Sequence, residues 1–298
     1  MTYQPLGSSG LHISSIGFGC MSLGTDDAAN QHLIQAAIES GINFFDTADL
    51  YDKGANEETV GRALKSVRSK VVLATKVGNQ WRPDGSGWDW NPRKEYILKA
   101  VDQSLRRLQT DYIDLYQLHG GTIDVPSEET IEAFEMLVKS GKVRYYGISS
   151  IRLNVIRTWV QQARPASVMM QYSLLDRRPE DGMLPLLQQK HIGVLARGGL
   201  AQGLLAGKEA KPYLDYNVTE VQQAANAVKA LTTKSRNAVQ TALKFVLQQV
   251  GITSAVVGIR TMAQLQEAVA TIVAPSLTDS ELAQLKSVLP PNQYTQHV

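Results

Sequence analysis

The sequence predicts an α/β fold: one (β/α)8 TIM barrel over residues 1–298, with an N-terminal β-hairpin and an extra C-terminal helix. Three observations predict it. From about residue 16 to about residue 270, eight short β-rich runs alternate with helical runs. Most of the β runs are apolar on both faces, as strands covered by helices should be. No G-x-G-x-x-G follows a strand, which lowers an open dinucleotide-binding sheet.

In chain order, YQPLGSSGLHIS reads as a hairpin around SSG, able to plug the bottom of a barrel. The strands are IGFGC, INFFDTAD, VVLATK, YIDLYQLH, VRYYGISS, SVMMQYS, GVLARGG and AVVGI. Amphipathic segments separate them. In RKEYILKAVDQSLRRLQ, Ile97, Val101, Leu105 and Leu108 fall on one helical stripe. SEETIEAFEMLVKSG carries Ser127 as a candidate N-cap, Glu128 and Glu129 in the first turn and Gly141 at the C-cap. Residues 77–92 and 206–217 read as long loops, and Thr278 with Glu281 makes a capping box for a last helix. No linker or composition shift divides the chain, so a single domain is expected.

Composition narrows the function. Hydrophobic content of 43% and charged content of 19% suit a globular protein. The net charge is only +2, and the basic residues form no run, so neither nucleic acid nor an anionic membrane is an expected partner. The N-terminus lacks a basic start followed by a long apolar core, no segment is apolar enough to span a membrane, and Cys20 is the only cysteine. A cytoplasmic location is expected, and no metal site.

The polar residues at strand ends carry the chemistry. Strand two ends at Asp46 with Tyr51 just beyond, strand three at Lys76 and strand four at His119. In a (β/α)8 barrel these ends share the face where active sites are built. Each alone has an ordinary structural reading, as a turn residue, loop anchor, solvated strand end or cap partner. Four on three consecutive strand tips is a more specific pattern. Together they suit general acid catalysis by a phenol. An ordinary phenol has a pKa of about 10, and an adjacent ammonium lowers it by stabilising the phenolate. Lys76 supplies the cation, Asp46 keeps it charged and oriented, and His119 can hydrogen-bond the oxygen to be protonated.

Beyond these residues, D-T-A-x-x-Y (46–51), A-T-K (74–76), D-L-Y-x-L-H (114–119), G-I-S (147–149), Q-Y (171–172) and L-A-x-G-x-L-A-x-G-L-L (195–205) resemble the aldo-keto reductases over essentially the whole length. The resemblance implies NADPH-dependent reduction of aldehydes or ketones, with Tyr51 as proton donor and a cofactor lying extended across the rim. It implies that Ser149 and Gln171 hold the carboxamide, with Ser150 where the family usually has Asn. It places Gly198, Gly199, Leu200, Gln202 and Gly203 around the pyrophosphate, and Gly19, Cys20, Met21 and Gly258 at strand ends beside the cofactor. Cys20 also reads simply as a small buried apolar residue. Arg260 and Gln264 match 2′-phosphate contacts and Glu267 an adenine contact, while Ala268 replaces the usual Asn. Arg197 stands where many members stack an aromatic ring on the nicotinamide. Trp81, Trp88 and Trp90 either pack the 77–92 loop down or line the substrate pocket. Two other functions remain open: a non-catalytic, cofactor-binding regulatory subunit, and a Schiff-base aldolase using Lys76.

Overall fold

A computed structural model describes residues 1–121 and 126–296. Its strands are β1 (Tyr3–Pro5), β2 (His12–Ser14), β3 (Ile16–Gly19), β4 (Phe44–Asp46), β5 (Val72–Val77), β6 (Asn79–Trp81), β7 (Trp88–Trp90), β8 (Ile113–His119), β9 (Val143–Ser149), β10 (Ser167–Gln171), β11 (Gly193–Arg197) and β12 (Ile252–Gly258). Eight of them, β3, β4, β5, β8, β9, β10, β11 and β12, close into a barrel in that order, every pairing parallel. The eight expected β runs are these strands.

Helices α1 (Asp27–Glu39), α2 (Ala55–Leu64), α3 (Lys94–Leu108), α4 (Ser127–Lys139), α5 (Leu153–Gln162) and α6 (Met183–Gln189) each follow one barrel strand. Two, α7 (Val218–Ala230) and α8 (Ala238–Leu247), follow β11, then α9 (Met262–Ala270) follows β12 and α10 (Asp279–Ser287) ends the fold. In α3 the stripe of Ile97, Val101 and Leu108 is buried against the barrel, with Leu105 partly so. The Thr278–Glu281 capping box opens α10. At α4 the expected cap is displaced. Pro126 takes the N-cap position and Ser127 is the first helical residue, its hydroxyl bonded to Gln162. The 77–92 segment is also more ordered than a loop, since β6 and β7 pair as an antiparallel hairpin.

The N-terminal hairpin, β1 with β2, seals one end of the barrel. Leu6, Leu11 and Ile13 pack against Phe44, Val72, Ala74, Leu115, Ala166, Met169, Leu195 and Val256, which form the barrel's inner core. Fully burying an aliphatic side chain is worth about 1.5–3 kcal/mol, so three of them hold the plug firmly. The close approach needs Gly7. Its φ is +57°, and a Cβ there would lie 2.6 Å from the Ala166 carbonyl and 2.7 Å from the Gly193 nitrogen. A larger core fills the space between barrel and helices.

Candidate active site

Side chains alternate across a strand, so the inner core fixes which residues face inward. Phe44, Val72, Ala74 and Leu115 line the interior, while Phe45, Leu73, Tyr116 and Leu118 face the helices. Two steps beyond the inward residues come Asp46 on β4, Lys76 on β5, and Gln117 then His119 on β8. The same count around the barrel ends at Gly19, Ser149, Gln171, Arg197 and Gly258. Strand register brings these tips together: Gly19 pairs with Asp46, His119 with Ser149, Gln171 with Arg197, and Gly258 with Gly19.

Lys76 is the hub. Its Nζ donates to Asp46 Oδ1 at 2.5 Å, to the Thr47 carbonyl at 2.7 Å and to Tyr51 Oη at 3.3 Å. Three protons meet three acceptors. The Lys76 and Asp46 side chains are 1% and 5% exposed. Burial works against the Lys76 charge, but Asp46 and then Tyr51 outweigh it and hold the ammonium above its ordinary range. Burial likewise pushes the Asp46 carboxyl up, and Lys76, Gln117 and Arg197 oppose it. Asp46 takes its second donor from Gln117 Nε2, at 3.0 Å on Oδ2.

Tyr51 stands edge-on to His119, ring centroids 6.0 Å apart. Burial, then Lys76 and Arg197, drive the imidazole down to about 3, so His119 is neutral near pH 7. Its Nδ1 is buried with no partner among the described residues. Tyr51 is delivered by a tight turn in which Asp52, Lys53 and Gly54 all have positive φ, at 49°, 55° and 94°. Two non-glycine residues in that region are strained, a feature that concentrates at functional sites.

A second polar layer lies behind, facing the helices. Glu57 of α2 is fully buried, accepts from Thr75 Oγ1 at 2.5 Å and pairs with Arg107 of α3 at 2.7 Å. Thr47 bonds Asn56, which in turn bonds the Cys20 carbonyl. These contacts lock the residues next to Asp46 and Lys76. Asn56, Glu57, Arg107 and Gln117 were all missed in the sequence. Gln117 alone had a signal, lying two residues before His119 and thus on the same face.

The tryptophans share one face of the β6–β7 hairpin, since Asn79 pairs with Trp90 and Trp81 with Trp88. Trp81 donates its indole N–H to the Leu50 carbonyl at 3.1 Å, and Trp90 donates to the His119 carbonyl at 3.0 Å. Both anchor the hairpin to the polar strand tips. Trp88, on the same face, is 46% exposed.

The remaining residues ring the rim. Met21 is 64% exposed, whereas Cys20 is fully buried, its side chain among apolar neighbours and its carbonyl accepting from Asn56. Ser149 and Ser150 are buried at the end of β9, and Ser150 Oγ accepts from the Arg152 amide. Gln171 accepts from Arg197 Nη1 at 3.0 Å and donates to Tyr213 Oη at 2.7 Å. Tyr213, from the 206–217 segment, is another residue the sequence did not reveal. After Arg197, Gly198, Ala201, Gln202 and Gly203 have φ of 75°, 46°, 60° and 94° around Gly199 and Leu200. Backbone N–H groups in such turns make anion-binding concavities. Arg260 and Gln264 flank the N-cap Thr261 of α9, with Arg260 N bonded to Gln264 Oε1 at 2.9 Å. Glu267 is engaged by Asn237 at 2.8 Å. A nicotinamide dinucleotide fits this donor set. At Gly258 a Cβ would come within 2.5 Å of Ser22 Oγ, so the rim there is kept bare of side chain. No group of three or more metal-ligating side chains occurs among the described residues, and none of their helices is long and apolar enough to cross a membrane.

A closed parallel barrel with an Asp–Lys–Tyr chain and a neutral His at its C-terminal face defines a class of oxidoreductase. The profile of the "Aldo/keto reductase family" matches residues 15–290, and the chain belongs to that family. The "Uncharacterized oxidoreductase YqkF" of Bacillus subtilis (strain 168) is 45% identical over 306 residues, covering 100% of this chain and 99% of that protein. Among solved structures, the holo form of aldo-keto reductase AKR11C1 from Bacillus halodurans is similar at 46% identity and a TM-score of 0.94, covering 100% of this chain and 99% of that one. Glycerol dehydrogenase AKR11B4 from Gluconobacter oxydans is 29% identical with a TM-score of 0.85, covering 96% of this chain and 95% of its own.

Proposed function

We propose that this single-domain protein is an NADP(H)-dependent reductase that converts aldehydes or ketones to alcohols. One observation carries the reading: the buried Lys76 ammonium spends two of its protons on Asp46 and Thr47 and turns the third toward Tyr51. When bound, the nicotinamide cofactor supplies a hydride to the carbonyl carbon. Tyr51 gives its phenolic proton to the carbonyl oxygen, and Lys76 stabilises the phenolate left behind. His119, being neutral, orients that oxygen through a hydrogen bond without competing as a proton source.

Ser149, Gln171 and the tips Gly19, Met21 and Gly258 form the nicotinamide end of the cofactor site, with Arg197 over it and Ser150 and the Cys20 backbone beside it. Residues 198–203 receive the pyrophosphate. Arg260 and Gln264 at the start of α9 receive the 2′-phosphate, favoured there by the helix dipole and the guanidinium. Glu267 lies at the adenine end. Trp88 is the tryptophan that touches substrate, since the indole N–H groups of Trp81 and Trp90 are committed to the fold. A cytoplasmic location belongs to this reading and agrees with a single buried thiol.

The test is direct. Protein, NADPH and an activated aromatic aldehyde are mixed and nicotinamide absorbance is followed, in wild type and Tyr51→Phe. Wild type consumes NADPH, and the variant loses at least ~10²-fold in turnover while binding cofactor within a few-fold of wild type. Near wild-type turnover in Tyr51→Phe removes the phenol from the mechanism. Wild type that binds NADPH without turnover is instead a regulatory subunit, and a borohydride-trapped adduct on Lys76 would mark a Schiff-base aldolase.

A further inference from the structure

Gln117 lies on the inner face of β8, one layer below His119 and fully buried. Its Nε2 bonds Asp46 Oδ2, the oxygen that Lys76 does not use. The orientation of the amide is set by charge. Reversed, Gln117 Oε1 would face a carboxylate oxygen, two acceptors with no proton between them. The cost falls on the other end of the group, where Oε1 is buried with no partner among the described residues. Met or Leu in this volume would leave no orphaned Oε1, but would also take from Asp46 Oδ2 its donor. A fold that keeps an uncompensated oxygen here gains from the bond at the opposite atom.

We propose that Gln117 is a positioning residue for proton donation: by holding Oδ2 of Asp46, it keeps Oδ1 on Lys76 and the third proton of Lys76 on Tyr51. Of the two groups that anchor Lys76, the Thr47 carbonyl is fixed by the backbone, with Thr47 N bonded to the Ala74 carbonyl at 2.9 Å. Asp46 is the anchor that can rotate. With Oδ2 released, the carboxylate can turn both oxygens to the ammonium and draw Nζ away from Tyr51. The effect on rate rests on the reductase reading, whereas the contact with Asp46 does not.

The titratable and charged groups around this carboxylate are Lys76 from β5, Arg197 from β11, Cys20 beyond β3, Tyr51 after β4 and His119 from β8. Two substitutions separate donation from packing. Gln117→Met keeps the volume and removes the donor. Gln117→Glu donates to Oδ2 only while protonated, and once ionised it sets two carboxylates against each other. Steady-state kcat with NADPH, normalised to wild type at each pH, should fall roughly 10-fold for Gln117→Met at both about pH 5 and about pH 8, with NADPH affinity unchanged. Gln117→Glu should approach wild type at about pH 5 and lose about 10-fold or more by about pH 8. Wild-type kcat in Gln117→Met, or a pH-independent loss in Gln117→Glu, overturns the proposal.

A cofactor-free measurement guards against failure of the reductase reading. A carboxyl whose folded pKa is raised contributes stability that is complete below its unfolded value, about 4.3, and is lost as pH rises through the folded value. The urea midpoint of Gln117→Glu should therefore drop relative to wild type as pH rises from about 4.5 to about 8, while that of Gln117→Met stays parallel to wild type. A Gln117→Glu midpoint that tracks wild type throughout overturns the contact itself. If wild type reduces no carbonyl, the reductase reading fails and the urea series still judges Gln117.

Discussion

Replacing Asp46 by Asn removes one charge while preserving nearly all of the shape, which isolates what the buried pair does. The Lys76 and Asp46 side chains are 1% and 5% exposed, so solvent cannot take over the lost partner. Breaking a buried pair by neutralising one member costs about 3–5 kcal/mol, because an uncompensated charge is left behind. The Asn carbonyl can still accept from Lys76, and one retained hydrogen bond recovers about 1 kcal/mol. The expected loss of stability is thus ~2–4 kcal/mol, read as a lower urea midpoint. The rate carries a sharper signature. In wild type burial pulls the Lys76 pKa down, and Asp46 and Tyr51 together raise it above the ordinary value. In the variant Tyr51 alone opposes burial, and the ammonium deprotonates at a lower pH. Turnover of Asp46→Asn relative to wild type should then decline progressively between about pH 6 and about pH 9, as Lys76 loses the charge that stabilises the phenolate. Each ~1.4 kcal/mol of lost stabilisation appears as a tenfold drop. A variant slowed by the same factor across that range would refute the reasoning, since Asp46 would then set geometry without setting charge.

Three further predictions bear on other parts of the site. His119, held down to about 3 by burial, Lys76 and Arg197, should remain neutral from about pH 5 to about pH 8; imidazolium ¹⁵N shifts for His119 near pH 6 would contradict this. Arg260→Ala should weaken NADPH far more than NADH in fluorescence titrations, because only the former carries the 2′-phosphate; equal losses would make Arg260 structural. Arg197→Tyr should narrow the margin by which NADPH binds over NADP⁺, since a guanidinium over the nicotinamide repels its oxidised, cationic form by ~1 kcal/mol after screening. An unchanged ratio would mean that the bond to Gln171 turns the guanidinium away from the ring.

The barrel and the polar residues at its strand tips were legible because both depend on local pattern. An inward residue recurs every second position, so apolar runs ending in Asp46, Lys76 and His119 announce a polar mouth on an apolar barrel. The hairpin plug was legible for the same reason. Other features depend on partners far apart in sequence. Ser127 looks like a cap, but its hydroxyl is taken by Gln162, 35 residues on, and Pro126 holds the N-cap position. The tryptophan-bearing segment shows no strand alternation that separates it from a loop, and its hairpin is held by Leu50 and His119, 31 and 29 residues from Trp81 and Trp90. Glu57 and Arg107 lie 50 residues apart and meet only once α2 and α3 pack. Tyr213 is drawn into the site by Gln171 across 42 residues.

The inner face of the barrel passes from apolar to ionic within a single layer. Phe44 gives way to Asp46, Ala74 to Lys76 and Leu115 to Gln117, and directly beneath them lie the leucines and isoleucine of the plug. This placement explains how a lysine can be almost wholly buried and remain charged. The apolar floor excludes water, which strengthens every interaction above it, and the three acceptors around Nζ replace the hydration that burial removes. It also explains why the tips need a second layer. An ion pair with no water to correct its geometry is only as well aimed as the groups that hold it, and here these are Gln117 from the inner face, and Thr75 with Glu57 and Asn56 from the helix side.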